Sequence, residues 1–127
     1  MDEARLRAEI RDHFEAIGTD EVRAAAIYAD DAVLEYAQSG ERIRGRENII
    51  ASRQAYPGRR SRFELHEIIG DGPLRVADLT LWFDGADPHA IAAVLEFRGD
   101  EVIRERLYIA ERFEPAAYRM GWVEPDG

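Results

Sequence analysis

A change of hydrophobic period near Ser61 constrains this chain more than any other feature. Before it, apolar residues recur at intervals of three and four; after it, they alternate with polar ones. The alternating part divides into four runs, about 62–69, 74–83, 89–97 and 101–110, separated by GDGP, DGADP and RGD. Connections this short cannot carry parallel crossovers, so the runs are expected to form antiparallel hairpins.

The first half reads as helices around one strand. Leu6, Ile10, Phe14 and Ile17 make a helical stripe that Gly18 ends. Thr19 is the expected N-cap of a second helix, which carries Asp20 and Glu21 in its first turn and ends near Asp30 and Asp31. Ala32 to Ala37 is short, partly β-branched and aromatic, and reads as a strand leading into a turn through QSGER. Gly45 opens a third helix with Ile49, Ile50, Arg53 and Tyr56, which stops before Pro57. After Pro115 the tail is expected to add a helical turn and to pack Trp122 back on the body. The order α-α-β-α-β-β-β-β in 127 residues predicts one α+β domain over 1–127, with the helices covering one face of a curved antiparallel sheet.

The register of the last hairpin decides which side chains face inward. Taking Gly99 and Asp100 as a two-residue turn pairs Phe97 with Val102, Leu95 with Arg104, Ala93 with Arg106 and Ile91 with Tyr108. With Phe83 opposite His89, Leu81, Leu79 and Ala77 join that face. It is the more apolar one, and so is assigned to the helices. Arg104, Arg106 and Tyr108 then enter an aliphatic surface, where they need partners or a water-filled cavity. A shift of one residue reverses the strand, sends both arginines to solvent and leaves Glu105, Leu107 and Ile109 inside. With inverted parity the carboxylates Asp78, Glu96 and Glu105, rather than the arginines, line the interior.

Composition narrows the chemistry. All seventeen basic residues are Arg, and Cys is absent, which removes Lys Schiff bases, a P-loop lysine, thiol nucleophiles, disulfides and thiolate metal sites. His13, His66 and His89 lie far from any metal-ligand spacing, so neither metal nor cofactor is expected. The N-terminus lacks an apolar signal core and no run approaches a membrane span, so a soluble cytoplasmic protein without membrane partners is expected. A net charge of −9 argues against nucleic acid as a partner. Between Arg42 and Arg62, however, seven Arg meet one acid, Glu47, which reads as a solvated face or as steering for an anionic ligand.

The strings YADDAVLEY, SGERIRGRENI and LEFRGDEVIRERLYI, in this order, resemble the nuclear transport factor 2-like superfamily, in particular its SnoaL-like and ketosteroid-isomerase-like members. The resemblance covers nearly the whole chain. It implies a cystatin-like, cone-shaped α+β barrel with a deep apolar pocket between sheet and helices. It also implies a homodimer through the outer sheet face, where Trp82, Val94, Leu107 and Ile109 are the expected contacts. The family acids are not matched. Tyr36 follows Glu35 where the isomerases carry their general base; Ala93 stands near their oxyanion acid, and Arg11 to His13 near their helical Tyr. The cyclase Tyr-x-Asp reads Tyr108-Ile109-Ala110 here, and Arg75 and Asp78 do not reproduce the epoxide hydrolase Asp-Arg-Asp.

The remaining candidates are His13 as acid or base at the pocket mouth, with Tyr36, Tyr108 and Arg106 polarising a substrate oxygen. Each has a plainer alternative: a solvated His, core tyrosines with a wet tip, and an ordinary salt bridge. Phe14, Tyr28, Arg53, Leu79, Leu81, Ala93 and Leu95 are the expected ligand-binding wall. The functional expectation is a small hydrophobic, carbonyl-bearing ligand, handled by a cofactor-free lyase, isomerase or cyclase, or bound without turnover by a dimeric module.

Overall fold

Asp2 starts the first helix by accepting from the Arg5 backbone N–H at 2.8 Å, and the Leu6, Ile10, Phe14 stripe turns inward along α1 (Glu3–Ala16). The computed structural model describes residues 2–84 and 88–124. Gly18, at φ +85°, takes the left-handed turn that ends this segment, and a Cβ there would stand 2.6 Å from that of Arg60. The N-cap of α2 (Glu21–Ala24) is Asp20 rather than Thr19. Asp20 accepts from Arg23 N–H at 3.1 Å, while the Thr19 hydroxyl turns back to the Ala16 carbonyl. This helix is one turn long and passes through a 3-10 turn, Ala25–Ile27, directly into β1 (Tyr28–Tyr36). The strand thus begins earlier than the sequence pattern suggests, because Tyr28 and Ala29 are buried as strand residues.

The QSGER stretch, expected as a turn, contributes a strand of its own. Its β2 (Glu41–Arg44) pairs antiparallel with β1, Tyr36 opposite Glu41 and Val33 opposite Arg44. Gly45 then caps α3 (Arg46–Gln54). The four hairpin strands follow as β3 (Arg60–Ile69), β4 (Leu74–Phe83), β5 (Pro88–Arg98) and β6 (Glu101–Glu111). Together with β1 and β2 they make one curved, open, mixed sheet in the order β2-β1-β6-β5-β4-β3, in which β1 and β6, the second and third strands, are parallel and every other pair is antiparallel. The α+β architecture is as expected, and this one parallel pair is what joins the two halves of the chain.

His89 lies opposite Leu81 rather than Phe83; a shift of two keeps Leu79 and Ala77 on the inner face. The rest of the DGADP turn, residues 85–87, lies outside the described residues. The final hairpin departs from simple alternation. Arg98 opposes Glu101 and Phe97 opposes Val102, but Glu96 opposes Arg104, so Ile103 is extra and forms a bulge. The tail makes a 3-10 turn, Ala117–Arg119, and does not fold back: Trp122 is 83% exposed.

Candidate functional site

The bulge at Ile103 reverses the parity of β6. Leu95 now faces Glu105 and Ala93 faces Leu107, so Glu105, Leu107 and Ile109 point inward and Arg104, Arg106 and Tyr108 point outward. Of the two registers the sequence allows, the structure takes the shifted one. The physical reason is satisfiability: two guanidiniums on an aliphatic face would lack partners, whereas one carboxylate can be fully bonded. Outside, Arg104 bonds Glu35, whose carboxylate lies 3.7 Å from Arg106, and Arg106 donates to the Tyr108 hydroxyl at 3.4 Å.

Inside, Glu105 is fully buried and held by three elements. One oxygen meets His13 Nε2 at 2.8 Å; the other accepts from the Tyr28 hydroxyl and, at 3.1 Å, from Arg53 Nη2. His13 sits one turn after Ile10, and its Nδ1 lies 2.6 Å from the Ala24 carbonyl; since a carbonyl only accepts, Nδ1 carries hydrogen. Arg53 follows Ile49 by four residues on α3, so the same helix face that buries Ile49 carries the guanidinium in, 5.8 Å above the Tyr28 ring. Burial pushes the Glu105 carboxyl up, but His13, Arg53 and the Tyr28 hydroxyl outweigh it and hold its pKa at about 2. Burial raises the Tyr28 hydroxyl well above its usual range, which keeps it a donor, and raises Tyr36 as well. For Arg53 burial opposes the charge, yet Tyr28, Glu105 and Tyr36 together raise its pKa, so it remains a cation.

Beside this cluster a cavity of about 490 Å³ opens between the sheet, α3 and the end of α1. Ile17, Ile43, Tyr56, Leu81, Phe83, Ile91 and Ile109 give it apolar walls, and Glu21, Tyr36, Arg53 and His89 are among the polar groups lining it. Arg53, with 8% of its side chain exposed, spends Nη2 on Glu105 and leaves Nη1 buried with no partner among the described residues; His89 Nδ1 is in the same condition. Among those residues no cluster of His, Asp and Glu is arranged to hold a metal, and no helix is long and apolar enough to cross a membrane.

The candidates named from sequence are thus divided. Tyr36, Arg53 and Leu81 line the cavity. Phe14, Tyr28, Leu79, Ala93 and Leu95 are core residues and are not among its lining. His13 is buried, uses both ring nitrogens, and borders instead a smaller cleft of about 210 Å³ with Asp12 and Arg23. Arg106 and Tyr108 lie on the opposite sheet face and share with Tyr36 a separate cleft of about 330 Å³; His13 is not part of it, so three of the proposed four residues come together and the quartet does not. Leu107 and Ile109, expected as outer contacts, are inner residues, while Asp78 and Glu96 point outward with Trp82 and Val94. Glu21 and His89 were missed as members of the interior, whereas Glu105 was placed there by the shifted register, the alternative that the structure takes. For Glu105 the signal was its alternation with Leu107 and Ile109. Within the Arg-rich strip several members have partners: Arg42 lies 3.3 Å from Glu35, Arg46 2.6 Å from Asp30, Arg53 turns inward and Arg60 donates to the Glu15 carbonyl.

Residues 10–106 match the family model of the SnoaL-like domain. Among solved structures the chain is similar to an NTF-2 like protein of unknown function from Burkholderia xenovorans LB400, at 35% identity over 98% of each chain with a TM-score of 0.85. It is similar at 27% identity to a ketosteroid isomerase candidate from Kribbella flavida DSM 17836, over 98% of this chain and 91% of that one, with a TM-score of 0.83. It shares its fold with an LEH-like epoxide hydrolase from M. tuberculosis, at 20% identity over 84% of each chain and a TM-score of 0.69. No curated protein matches the chain.

The Glu105 cluster makes a defined prediction. Glu105→Ala strands the buried Arg53 charge and is expected to cost about 3–5 kcal/mol of stability at neutral pH, measured by urea denaturation. Because the folded carboxyl sits at about 2, below its ordinary 4.5, its contribution is full above pH 4.5 and is lost as pH falls toward 2. The gap between wild type and variant therefore narrows across that window; a gap of constant size would show that the ionised carboxylate is not its source.

Proposed function

The chain belongs to the SnoaL-like domain family, and within that family we propose that it is a small-molecule-binding protein whose cavity takes a largely apolar ligand by an oxygen acceptor. The observation that carries this reading is Arg53: it lines the cavity, and its Nη1 is a buried, permanently charged donor with no partner among the described residues. A buried donor without an acceptor is costly, and the cluster around Glu105 holds it in place. Tyr36 lines the same cavity and offers a second donor, its hydroxyl. A volume of about 490 Å³ falls in the range of small-molecule sites.

Hexanoate is a suitable probe, titrated calorimetrically against the intact chain. Arg53→Lys retains the charge toward Glu105 but loses the fork, and is expected to weaken binding about tenfold with a fully folded protein. Ala55→Trp, at the cavity lining, is expected to abolish it. Equal affinity in all three proteins would sink the reading.

A second reading, cofactor-free turnover of a carbonyl compound, is favoured by His89. Its Nε2 lies 3.4 Å from Glu111, and its unpartnered Nδ1 belongs to a ring that lines the cavity. In this scheme an α C–H bond breaks, the proton passes to Nδ1 and the electron pair moves to an oxygen held by Arg53 and Tyr36. Loss of the α-hydrogen signals of 2-hexanone in D₂O, catalysed by wild type and not by His89→Gln, is the expected NMR result. Equal rates in the two proteins would remove His89 from the chemistry.

The oligomer proposed is a homodimer through the outer sheet face that carries Trp82 and Val94. That face also holds a shallow apolar depression of about 430 Å³ lined in part by Ala90, Ala92 and Ala110. Light scattering is expected to give twice the 14.5 kDa chain mass, and Ala92→Arg to give a monomer; a monomeric wild type would overturn this.

A further inference from the structure

Two residues that line the cavity each carry a buried polar atom without a partner, and the two atoms have opposite demands. Glu21 uses Oε1 to accept from the Gly18 backbone N–H at 2.6 Å, and its Oε2 is buried without a partner. Arg53 uses Nη2 on Glu105 and leaves Nη1 equally orphaned. One of these atoms only accepts and the other only donates. They are opposite in charge and line one cavity, yet no ion pair joins them. Each is anchored elsewhere: Glu21 by capping the Gly18 turn, where a left-handed backbone fixes its acceptor contact, and Arg53 by the buried carboxylate of β6. The fold therefore keeps an acceptor and a donor apart with apolar surface, including Ile17, Leu81 and Ile91, on the same cavity wall.

Resting on the cavity reading above, we propose that the ligand is bifunctional: an apolar body with an oxygen acceptor, carboxylate or carbonyl, at the Arg53 end and a hydrogen-bond donor, amine or hydroxyl, at the Glu21 end. A molecule with only the acceptor leaves Glu21 Oε2 buried and unpaired, and so gives up part of the available affinity. Specificity then lies in the Glu21 end, where sequence analysis placed no functional residue.

The test compares three probes on the full chain by calorimetry: hexanoate, with no second group; 6-aminohexanoate, with a donor; and 6-oxoheptanoate, with an acceptor. The four- and eight-carbon ω-amino acids are run alongside to locate the best span. Wild type is expected to bind the best-fitting amino acid at least tenfold more tightly than hexanoate or 6-oxoheptanoate. Glu21→Gln keeps an acceptor for Gly18 and turns the free oxygen into an NH₂ donor, so the order of amine and ketone reverses. Should that variant not fold, the wild-type ranking alone decides. Binding of hexanoate as tight as that of every amino acid, or an unchanged order in Glu21→Gln, overturns the bifunctional ligand and leaves the cavity reading standing. Binding of no probe overturns both.

Discussion

One buried carboxylate ties this structure together. Glu105 on β6 bonds His13 from α1, Tyr28 from β1 and Arg53 from α3, so that a single pair of oxygens joins the sheet to two helices and to its own parallel neighbour. Hydrophobic contacts around it are non-directional and tolerate sliding; the hydrogen bonds to Glu105 do not. A buried ion cluster of this kind is a weak source of net stability, because desolvation offsets most of the attraction, but it strongly disfavours arrangements in which any member loses its partners. The position of α3 against the sheet, and with it the Arg53 wall of the cavity, follows from that requirement.

The cluster also explains why a guanidinium can stand beside an apolar cavity. Arg53 shares its charge with Glu105 through Nη2 and lies near the Tyr28 ring, and of its three nitrogens Nη1 is the one left buried without a partner among the described residues. The protein thereby presents a fixed donor without exposing a whole cation. The cavity walls are largely aliphatic and aromatic, and Glu21 and Arg53 among the polar residues are fixed by bonds to Gly18 and Glu105.

Much of the architecture was legible because it depends on local signals. The stripe Leu6, Ile10, Phe14 and the turns around Gly70 and Gly99 mark α1 and the hairpins at nearly the observed limits. What escaped depends on pairing across the chain. β2 has the exposed, charged pattern Glu-Arg-Ile-Arg and becomes a strand only because β1 offers an edge. Ile103 looks like any other β-branched strand residue, and nothing local says that it will be skipped, yet that one bulge exchanges Arg106 and Tyr108 for Glu105 and Leu107. His13 was legible as a member of the helix but not as a buried ion-pair partner, since the carboxylate that receives it lies ninety-two residues away. Arg53 was found because its place follows from helix periodicity, and Tyr36 because the resemblance marks its strand position.

The parallel pairing of β1 with β6 has a consequence for how the chain reaches its native state. Strands β3 to β6 are joined by short hairpins and can zip up in succession, whereas β1 must wait for a partner that begins more than sixty residues later. Until β1 arrives, β6 is an open sheet edge with a charged Glu105 on its inner face; afterwards it is an interior strand with that charge bonded. Pairing of β1 with β6 also brings the Tyr28 hydroxyl to the buried acid, while its cationic partners arrive with α1 and α3. The amino-terminal strand thus completes the sheet across the longest sequence separation of any of its strand pairs.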